Sequence, residues 1–406
     1  MTGQNVRIHR WGPKFLKNKS FRLLDTTLRD GIQASGIRQP TLAEKKKIID
    51  FNAKVGIEEI DICIPGVGGR YYQQGVVCAR YIKKNYPQIE IVVLARTIEN
   101  DVKATIRFAK EADAPITVIL FRGSSDLRLI AEDWLEDQIV EDMYRFTKIL
   151  YENGLKVICA SEDTTRTRPS FLRRIFLAGK KAGARGFCIA DTVGFADPYS
   201  IEAQTRWIKE QIVKKENLEI QFHGHNDTGQ AISNALASLK GGANVIHITW
   251  LGIGERAGNT ALESLLSAFD TYNIQKYNLL HIRDGAKFVS RVFNRPIPVD
   301  HALVGNYVFT TSSGIHAAGI HKAEQKGLID IAGIVYSAVS PSKVGREHKI
   351  NIGPLSGLHN VQRVLEKLEI SYTSYTCDAL LTSAKRLNRE LNKREIIKIV
   401  KSIEAK

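Results

Sequence analysis

The chain has 406 residues, of which 43% are hydrophobic and 25% charged, enough for one large domain of about 250 residues and a smaller appendage. It lacks both a run of about 18 apolar residues and the apolar core of a secretory signal, so neither a membrane-spanning nor a secreted protein is indicated and a cytoplasmic one is expected. The 58 Lys and Arg against 43 Asp and Glu give a net charge of +15, which by itself fits nucleic acid, an anionic membrane or small acidic ligands. Because the lysines are spread over helical patterns and no aromatic-rich basic groove is present, nucleic-acid binding is disfavoured and no membrane partner is expected.

Eight short apolar, β-branched segments recur along the chain, beginning with "FRLLDTT". Amphipathic helical patterns such as "TLAEKKKIIDFNAKVG" lie between them and end near glycine, as a helix C-cap does. Strands that alternate with helices predict a parallel sheet. The eight segments are residues 21–27, 58–64, 89–95, 115–121, 156–163, 186–194, 219–226 and 245–254.

Eight βα units over about 250 residues predict an α/β fold of the (β/α)8 TIM-barrel type for residues 21–285. A doubly wound sheet is the alternative, but the first βα turn has no G-x-G-x-x-G, and polar residues follow nearly every strand rather than one switch point. In a barrel the C-terminal strand ends form the active face. We therefore expect residues 25–33 to converge on one rim with the polar residues that follow strands five to eight, namely Glu162, Thr192, His223, His225 and Asn259.

The remaining parts of the chain have a different composition. Residues 1–20 form an N-terminal segment, and residues 286–355 are rich in Pro, Gly and His, which predicts a linker subdomain that carries chemistry. Residues 356–406 return to helical pattern and predict a small helical subdomain.

The five cysteines are scattered and odd in number, and no C-x-x-C spacing occurs. This argues against a disulfide framework and against a thiolate zinc site. We expect small apolar core residues at Cys63, Cys78, Cys159, Cys188 and Cys377.

The stretch "QFHGHND" contains two histidines one residue apart, and on a strand His223 and His225 would leave from the same face. An isolated pair of this kind is equally compatible with a structural role. The barrel, however, brings Asp30 and Asn259 to the same rim, because strands one, seven and eight are neighbours when it closes. Two imidazoles and two oxygen ligands suit a divalent cation acting as Lewis acid, with Zn, Mn and Mg all open.

Three further polar residues on this rim are candidates for chemistry, each with a structural alternative. Arg29 beside a metal would neutralise charge that develops on a carbonyl oxygen, or it pairs with Asp30 on the surface. Glu162 is a candidate acid or base, or it forms a salt bridge to Arg166 or Arg168. Thr192 is able to donate to a substrate carboxylate, or it caps the next helix.

Four segments, "LLDTTLRDG", "ADTVG", "HGHND" and "GIGERAGNT", occur in this order and resemble the DRE-TIM metallolyase superfamily, in particular its Claisen-condensing members. The segments "LARTIENDV" and "IPVDHALVGNYVFTTSSGIHAAGIHK" look most like the 2-isopropylmalate synthase family. That resemblance implies an acyltransferase that condenses acetyl-CoA with 3-methyl-2-oxobutanoate and hydrolyses the thioester, in leucine biosynthesis. It also implies a homodimer in which subdomain residues complete the partner's active site.

The resemblance implies roles for residues at matching positions. Arg29 and Thr192 would hold the 2-oxo acid. The metal ligands would be Asp30, His223, His225 and Asn259.

The same comparison extends to the acid–base group and to further substrate contacts. Glu162 and His316 would remove the methyl proton of acetyl-CoA, with His316 supplied by the partner subunit. His348, in "VGREH", would assist this deprotonation or the thioester hydrolysis. Arg96 and Arg128 would contact the substrates.

Departures from the family pattern leave the acceptor open. Strand two ends "DICIP" instead of the common Gly-Phe-Pro, and Arg128 stands where many isopropylmalate synthases have His. An arginine there resembles homocitrate synthases, which bind 2-oxoglutarate, and citramalate synthase with pyruvate and a lyase like HMG-CoA lyase are further alternatives. Ile62, Ile64, Leu94 and Leu120 offer an apolar pocket instead.

Since the sequence ends at residue 406, without a leucine-binding regulatory domain, a leucine-insensitive form is expected.

Overall fold

A computed structural model describes residues 8, 9, 11, 15, 16 and 19–404 of the chain. In this part of the chain eight parallel strands, hydrogen-bonded in sequence order, form a closed barrel, which confirms the predicted TIM-barrel fold. Each strand lies within or close to the segment predicted for it. The strands are β1 Arg22–Asp25, β2 Glu59–Asp61, β3 Glu90–Arg96, β4 Ile116–Gly123, β5 Lys156–Glu162, β6 Gly186–Asp191, β7 Glu219–Gly224 and β8 Val245–Ile248.

The helices of the barrel layer follow the strands as the amphipathic patterns predict. The first is a clear case: Thr41 and Glu44 form a capping box at its start, and Gly56 ends it in the left-handed conformation with φ of 94°, which an L side chain would strain. The layer contains α1 Leu42–Val55, α2 Gly69–Asn85, α3 Glu99–Ala112, α4 Asp126–Ala131, α5 Glu136–Glu152, α6 Pro169–Lys181, α7 Pro198–Ile208 and α8 Ala231–Gly241.

An apolar cluster fills the middle of the barrel interior. One buried cluster joins Leu24, Val92, Ile119, Ile158 and Val245, which come from five different strands. Because successive side chains of a strand point to opposite faces, the residues two and four positions further along β5, Ala160 and Glu162, face the same interior. The barrel is therefore filled by side chains up to the C-terminal strand ends, where polar residues begin.

Charged side chains close the opposite, N-terminal end of the barrel. Arg22 of β1 donates to Glu59 of β2 (2.5 Å) and to Glu219 of β7 (2.6 Å). Arg185, directly before β6, donates to the same Glu219 (2.6 Å) and also to Glu90 of β3. These pairs link four strands, so we assign them a structural role, as expected for the N-terminal face of such a barrel.

The described chain divides into two compact units. The barrel unit comprises the described residues up to Leu265 together with Tyr272–Tyr277 and Phe288–Arg295, and the second unit comprises Leu266–Thr271, Asn278–Lys287 and the described residues from Pro296 on. The predicted boundaries after residues 285 and 355 stay predictions, and most of the predicted segment 1–20 lies outside the described residues.

The second unit is mainly helical. Two short strands form a parallel pair, and the last three helices enclose their own apolar core around Ile352, Leu365, Leu380 and Val400. After β8 the elements are α9 Leu262–Thr271, α10 Ile282–Phe293, β9 Thr310–Thr311, α11 Gly314–Gln325, α12 Ile329–Ile334, β10 Lys349–Ile350, α13 Leu358–Lys367, α14 Ser374–Leu387 and α15 Lys393–Glu404.

All five cysteines are buried and free of disulfides, as the sequence predicts. Within the described ranges, none of the helices combines the length and the apolar character that a membrane crossing requires.

The ring of charges at the N-terminal end gives a stability prediction. Replacing Arg185 with Met removes a partly buried cation that pairs with both Glu90 and Glu219. We therefore expect the free energy of unfolding to fall by about 2–4 kcal/mol. Urea denaturation followed by circular dichroism measures this. Arg206→Met is the control, because Arg206 forms an exposed i,i+4 pair with Glu202 and its loss costs less than about 1 kcal/mol. Equal destabilisation by both variants would contradict a structural role for the ring.

Candidate metal centre and active site

Asp30, His223 and His225 meet at the C-terminal end of the barrel as a buried group. His223 belongs to β7 and His225 follows it by two residues, so both rings leave from the inner face, as the sequence predicts. The two Nε2 atoms are 3.3 Å apart and lie 3.8 Å and 4.0 Å from the Asp30 Oδ2 atom. The predicted convergence of β1 and β7 residues is therefore present.

Asn259 reaches the same group from the loop after β8. Its Nδ2 donates to Asp30 Oδ2, while its Oδ1 is buried and accepts no hydrogen bond from the described residues. The Oδ1 lies against Gly254, where an added Cβ would come within 2.2 Å of it. Since the O and N positions of an amide are interchangeable by rotation, Asn259 is able to present its oxygen to the group in place of its nitrogen.

The arrangement fits a divalent cation. Ligand atoms that share a cation at about 2.0–2.2 Å lie roughly 3–4 Å apart, which matches the spacing of the Asp30, His223 and His225 atoms. The two facing Nε2 atoms form an N–H···N hydrogen bond when one ring carries its proton on Nε2. When both rings carry their proton on Nδ1, two lone pairs face each other, and a cation between them satisfies both. The donor set of two imidazoles, one carboxylate and one amide suits a divalent ion of intermediate hardness.

The protonation states also suit metal ligation. Burial works to raise the pKa of Asp30, but the nearby Arg29 charge, followed by His223 and His225, outweighs burial and holds that pKa below its ordinary value. Burial lowers the pKa of His223 to about 3, and the Asp30 charge opposes this only in part. At neutral pH the carboxylate is therefore ionised and the imidazole neutral, the forms in which both bind metals.

Arg29 is fixed between two carboxylates. Its Nε donates to Asp61 Oδ2 (2.7 Å) and its Nη1 donates to Asp30 Oδ1 (2.8 Å). The surface pairing considered from the sequence is wrong, because Arg29 is only 7% exposed. Asp61, at the end of β2, was not singled out from the sequence. Its signal was a carboxylate inside an apolar strand, which requires a buried partner.

A cavity of about 300 Å³ opens beside the metal-binding group. Glu162 and Thr192, both predicted, line it together with Arg29. Apolar side chains form much of the remaining wall. They are Ile64, Leu94, Ile119, Phe121, Ala160 and Ala190.

His247 of β8 also lines the cavity and was missed in the sequence. Its ring centroid lies 5.3 Å from that of His223, and its Nε2 is 2.9 Å from Gln221 Oε1. Burial lowers the pKa of His247 well below its ordinary value, so the ring is neutral and supports His223 from below. A signal was available in the sequence: His247 lies two residues after the apolar Val245 on β8, so the two side chains point to the same face of the strand.

Glu162 forms a salt bridge, but not the one considered from the sequence. Its Oε1 lies 3.0 Å from Arg128 Nε. Arg166 instead pairs with Asp163 and Arg168 with Asp126, so the predicted alternative partners are wrong. Burial raises the pKa of Glu162 above its ordinary value, and the Arg128 charge opposes that rise.

Thr192 does not cap the following helix. The cap of α7 is Asp197, whose Oδ1 accepts from the Ser200 backbone N–H (2.9 Å). Thr192 Oγ1 accepts from the Asp163 backbone N–H (2.8 Å), and this holds the hydroxyl at the cavity wall with its own proton free to donate.

Three further residues were predicted for the site, and Arg96 is not among the residues that line this cavity. Arg96 pairs with Asp101 (2.8 Å) and its side chain is 52% exposed. His316 and His348 belong to the second unit, where His316 stacks on Tyr336 with ring centroids 4.1 Å apart. Their predicted roles stay predictions.

Comparison with known proteins shows the family to which the chain belongs. The profile of the HMGL-like family matches residues 20–289. The chain is 30% identical over 379 residues to 2-isopropylmalate synthase of Sulfurisphaera tokodaii, covering 92% of each chain. It is also 30% identical over 390 residues to homocitrate synthase 1 of Nostoc sp., covering 93% of this chain and 96% of that relative. The hydroxymethylglutaryl-CoA lyase structure of Pseudomonas aeruginosa has a TM-score of 0.57 at 18% identity, over 68% of this chain and 93% of the lyase, and supports the fold alone.

The metal-binding group gives a prediction independent of any activity. His225→Asn removes one of the facing imidazoles, so the dissociation constant for Mn²⁺ or Zn²⁺ should rise by more than about 100-fold, above the loss typical of outer-shell changes. Isothermal titration calorimetry measures this on the full chain. His321→Asn, at a buried histidine of the second unit, is the matched control and should bind as the wild type does. Unchanged affinity in His225→Asn would exclude the site.

Proposed function

The chain belongs to the HMGL-like family, and on that premise we propose that it is a 2-isopropylmalate synthase. It joins the methyl carbon of acetyl-CoA to the carbonyl carbon of 3-methyl-2-oxobutanoate and hydrolyses the thioester. The products are 2-isopropylmalate and CoA, a step of leucine biosynthesis. The observation that carries the choice of acceptor is the apolar wall beside the metal-binding group.

The apolar wall matches the side chain of a branched 2-oxo acid. Leu94, Ile119 and Phe121 line the cavity in which Asp30 and His223 also lie. An isopropyl group placed against such a wall leaves water, at a gain of about 1–3 kcal/mol per methylene equivalent. Pyruvate has a single methyl group to bury and gains less.

The polar residues supply the other contacts of the acceptor. A divalent cation held by Asp30, His223, His225 and Asn259 would polarise the acceptor ketone as a Lewis acid. Arg29 is held beside it by Asp61 (2.7 Å) and stabilises the negative charge that develops on the carbonyl oxygen. The Thr192 hydroxyl donates to the acceptor carboxylate.

Glu162 is the proposed base. Its carboxylate takes a methyl proton from acetyl-CoA, and the carbon that loses the proton forms the new bond to the acceptor carbonyl carbon. The π bond of that carbonyl breaks as the new bond forms, and its oxygen takes up a proton to become the hydroxyl group of the product. Water then adds to the thioester carbonyl, and CoA leaves as its thiol. Because burial raises the pKa of Glu162, it is a stronger base than a solvated carboxylate and better matched to a weak carbon acid.

A second copy of the chain completes this site in our proposal. The barrel unit exposes large apolar side chains on the loops and helix starts that follow strands β2, β4 and β6, and exposed apolar surface of this kind is typical of a protein–protein contact. They are Val67, Tyr71, Leu127, Ile130, Leu135, Phe195 and Tyr199.

The second unit exposes an apolar surface of its own near His316. Ile315 is 75% exposed and Leu355 is 84% exposed, and the Gly314 backbone N–H donates to Leu355 O (3.1 Å), so the two side chains lie on neighbouring segments. Burial of this surface against a partner subunit would carry His316 to the partner's Glu162, where it assists proton removal.

One observation favours a second candidate, homocitrate synthase. Arg128 lies at the edge of the cavity in contact with Glu162 (3.0 Å), and a guanidinium is suited to the second carboxylate of 2-oxoglutarate. Against this, Arg128 also pairs with Glu132 (3.0 Å), so its charge is already matched by two carboxylates.

The acceptor is tested by CoA thiol release from acetyl-CoA with three 2-oxo acids in parallel. We expect kcat/KM for 3-methyl-2-oxobutanoate to exceed that for pyruvate by at least about 10-fold, from the extra apolar contact, and 2-oxoglutarate to be a poor acceptor. A preference for 2-oxoglutarate would support the second candidate instead, and absence of thiol release with all three acids would refute the condensing function.

The dimer is tested by mixing two defective chains. Glu162→Gln and His316→Ala should each lower kcat by about 10²–10⁴-fold as single variants. Co-expressed with different tags and purified as a heterodimer, they form one intact site of two and should regain about half of the wild-type activity. A heterodimer no more active than its parents would show that His316 does not act across subunits.

A further inference from the structure

We propose that Trp134, in the loop between α4 and α5, is a positioning residue that holds the Arg128 guanidinium against the Glu162 carboxylate. This inference deepens the proposed function, since it concerns the residue assigned there as the base. Trp134 itself is not among the residues that line the cavity.

The geometry starts from a glycine on the neighbouring strand. Gly123 of β4 pairs with Glu162 of β5 in the barrel register, and its missing side chain leaves room beside the carboxylate. A Cβ at this position would come within 3.0 Å of Arg128 Nε and 3.2 Å of Trp134 Cζ3. The space that a side chain would occupy next to Glu162 is therefore filled by the arginine and the indole.

The Arg128 side chain makes three contacts in this space. Its guanidinium nitrogens lie 3.0 Å from a carboxylate oxygen of Glu162 and 3.0 Å from one of Glu132. Its Cζ atom is 5.2 Å from the centre of the Trp134 ring. An arginine side chain loses several rotatable bonds when it is ordered in this way. The indole face supplies a rigid surface that favours the bound orientation through a cation–π contact.

Two further contacts hold Trp134 in place. Arg122 lies 3.8 Å from the ring centre, and the Trp134 backbone N–H donates to Leu129 O (3.0 Å), which folds the loop back on α4. The Arg122 Nε is buried and has no hydrogen-bond partner in the described chain. Its contact with the indole is therefore one of the interactions that orient the Arg122 guanidinium and the Trp134 ring.

The position of Arg128 matters because its charge is the largest influence that favours the ionised form of Glu162. Burial and the three carboxylates Glu132, Asp163 and Glu255 all raise the pKa of Glu162, and the Arg128 charge opposes that rise. Arg122 is a second cation that interacts with Glu162. If the indole is removed, Arg128 is free to move with Glu132 toward solvent. Glu162 is then left in a partly buried position with negative neighbours, and its ionised form becomes harder to reach.

The experiment is the pH dependence of kcat/KM for Trp134→Leu, measured with whichever 2-oxo acid gives thiol release. The acid limb, where activity is lost as Glu162 gains a proton, should move to higher pH by about one unit, as expected for loss of an opposite charge. Trp134→Phe keeps an aromatic face and should restore most of the wild-type profile. An acid limb in Trp134→Leu at the wild-type position would overturn the proposal.

A double variant separates positioning from a direct effect. Arg128→Met should shift the acid limb in the same direction, and adding Trp134→Leu to it should cause no further shift, because both changes remove one interaction. A further shift in the double variant would show that Trp134 acts independently of Arg128. Trp207→Leu, at a partly buried tryptophan at the far end of α7, is the matched control and should leave the profile unchanged.

A readout without catalysis keeps this inference apart from the proposed function. Carbon-13 NMR of labelled glutamate carboxyl groups follows the titration of Glu162, whose signal is assigned by its absence in Glu162→Gln. A higher titration midpoint in Trp134→Leu than in the wild type supports the positioning role even for a chain with no thiol release. An unchanged midpoint overturns it.

Discussion

The metal-binding group depends on the pairing of the first strand of the barrel with the last. β1 and β8 are parallel neighbours, with Leu24 opposite His247 and Asp25 opposite Ile248, and the Thr26 backbone N–H extends the ladder to Ile248 O (2.8 Å). The turn that follows β1 then places Asp30 beside β7 and the loop after β8. Without this closure the carboxylate and the two imidazoles would be separated by most of the barrel sequence, and none of the three would have a partner.

The two ends of the barrel differ in how their charged and polar groups are paired. At the N-terminal end, Arg22 and Arg185 are matched by carboxylates from neighbouring strands. At the C-terminal end, two imidazole Nε2 atoms face each other beside Asp30, and the Asn259 Oδ1 atom is buried without a partner among the described residues. An unsatisfied buried oxygen costs free energy, and a cation held at this position would satisfy it. Matched opposite charges therefore characterise the N-terminal end, whereas electron-pair donors that a metal cation would match characterise the C-terminal end.

The sequence was sufficient for features set by local pattern. Alternation and strand length predicted the eight strands, and the period of two predicted that His223 and His225 share a face. It was insufficient where a residue's partner is distant in sequence and depends on register. The sequence predicted only that Asp61 and His247 lie in strands. The closed barrel places Asp61 beside Arg29 and His247 beside His223. From the sequence, nearby Arg166 and Arg168 were considered as partners of Glu162, whereas the fold places Arg128 of α4 beside it.

The position of Arg128 also bears on the acceptor. A second carboxylate in the acceptor would have to compete with Glu162 and Glu132, each 3.0 Å from the same guanidinium. Displacing Glu162 would leave a partly buried carboxylate beside Asp163 and Glu255, and this cost offsets the gain from the new ion pair. The apolar acceptor side chain that we propose would require no such exchange, since it would contact Leu94 and Phe121 of the cavity wall and leave the pair at Glu162 in place. The charge balance around the base and the apolar wall therefore favour the same class of acceptor.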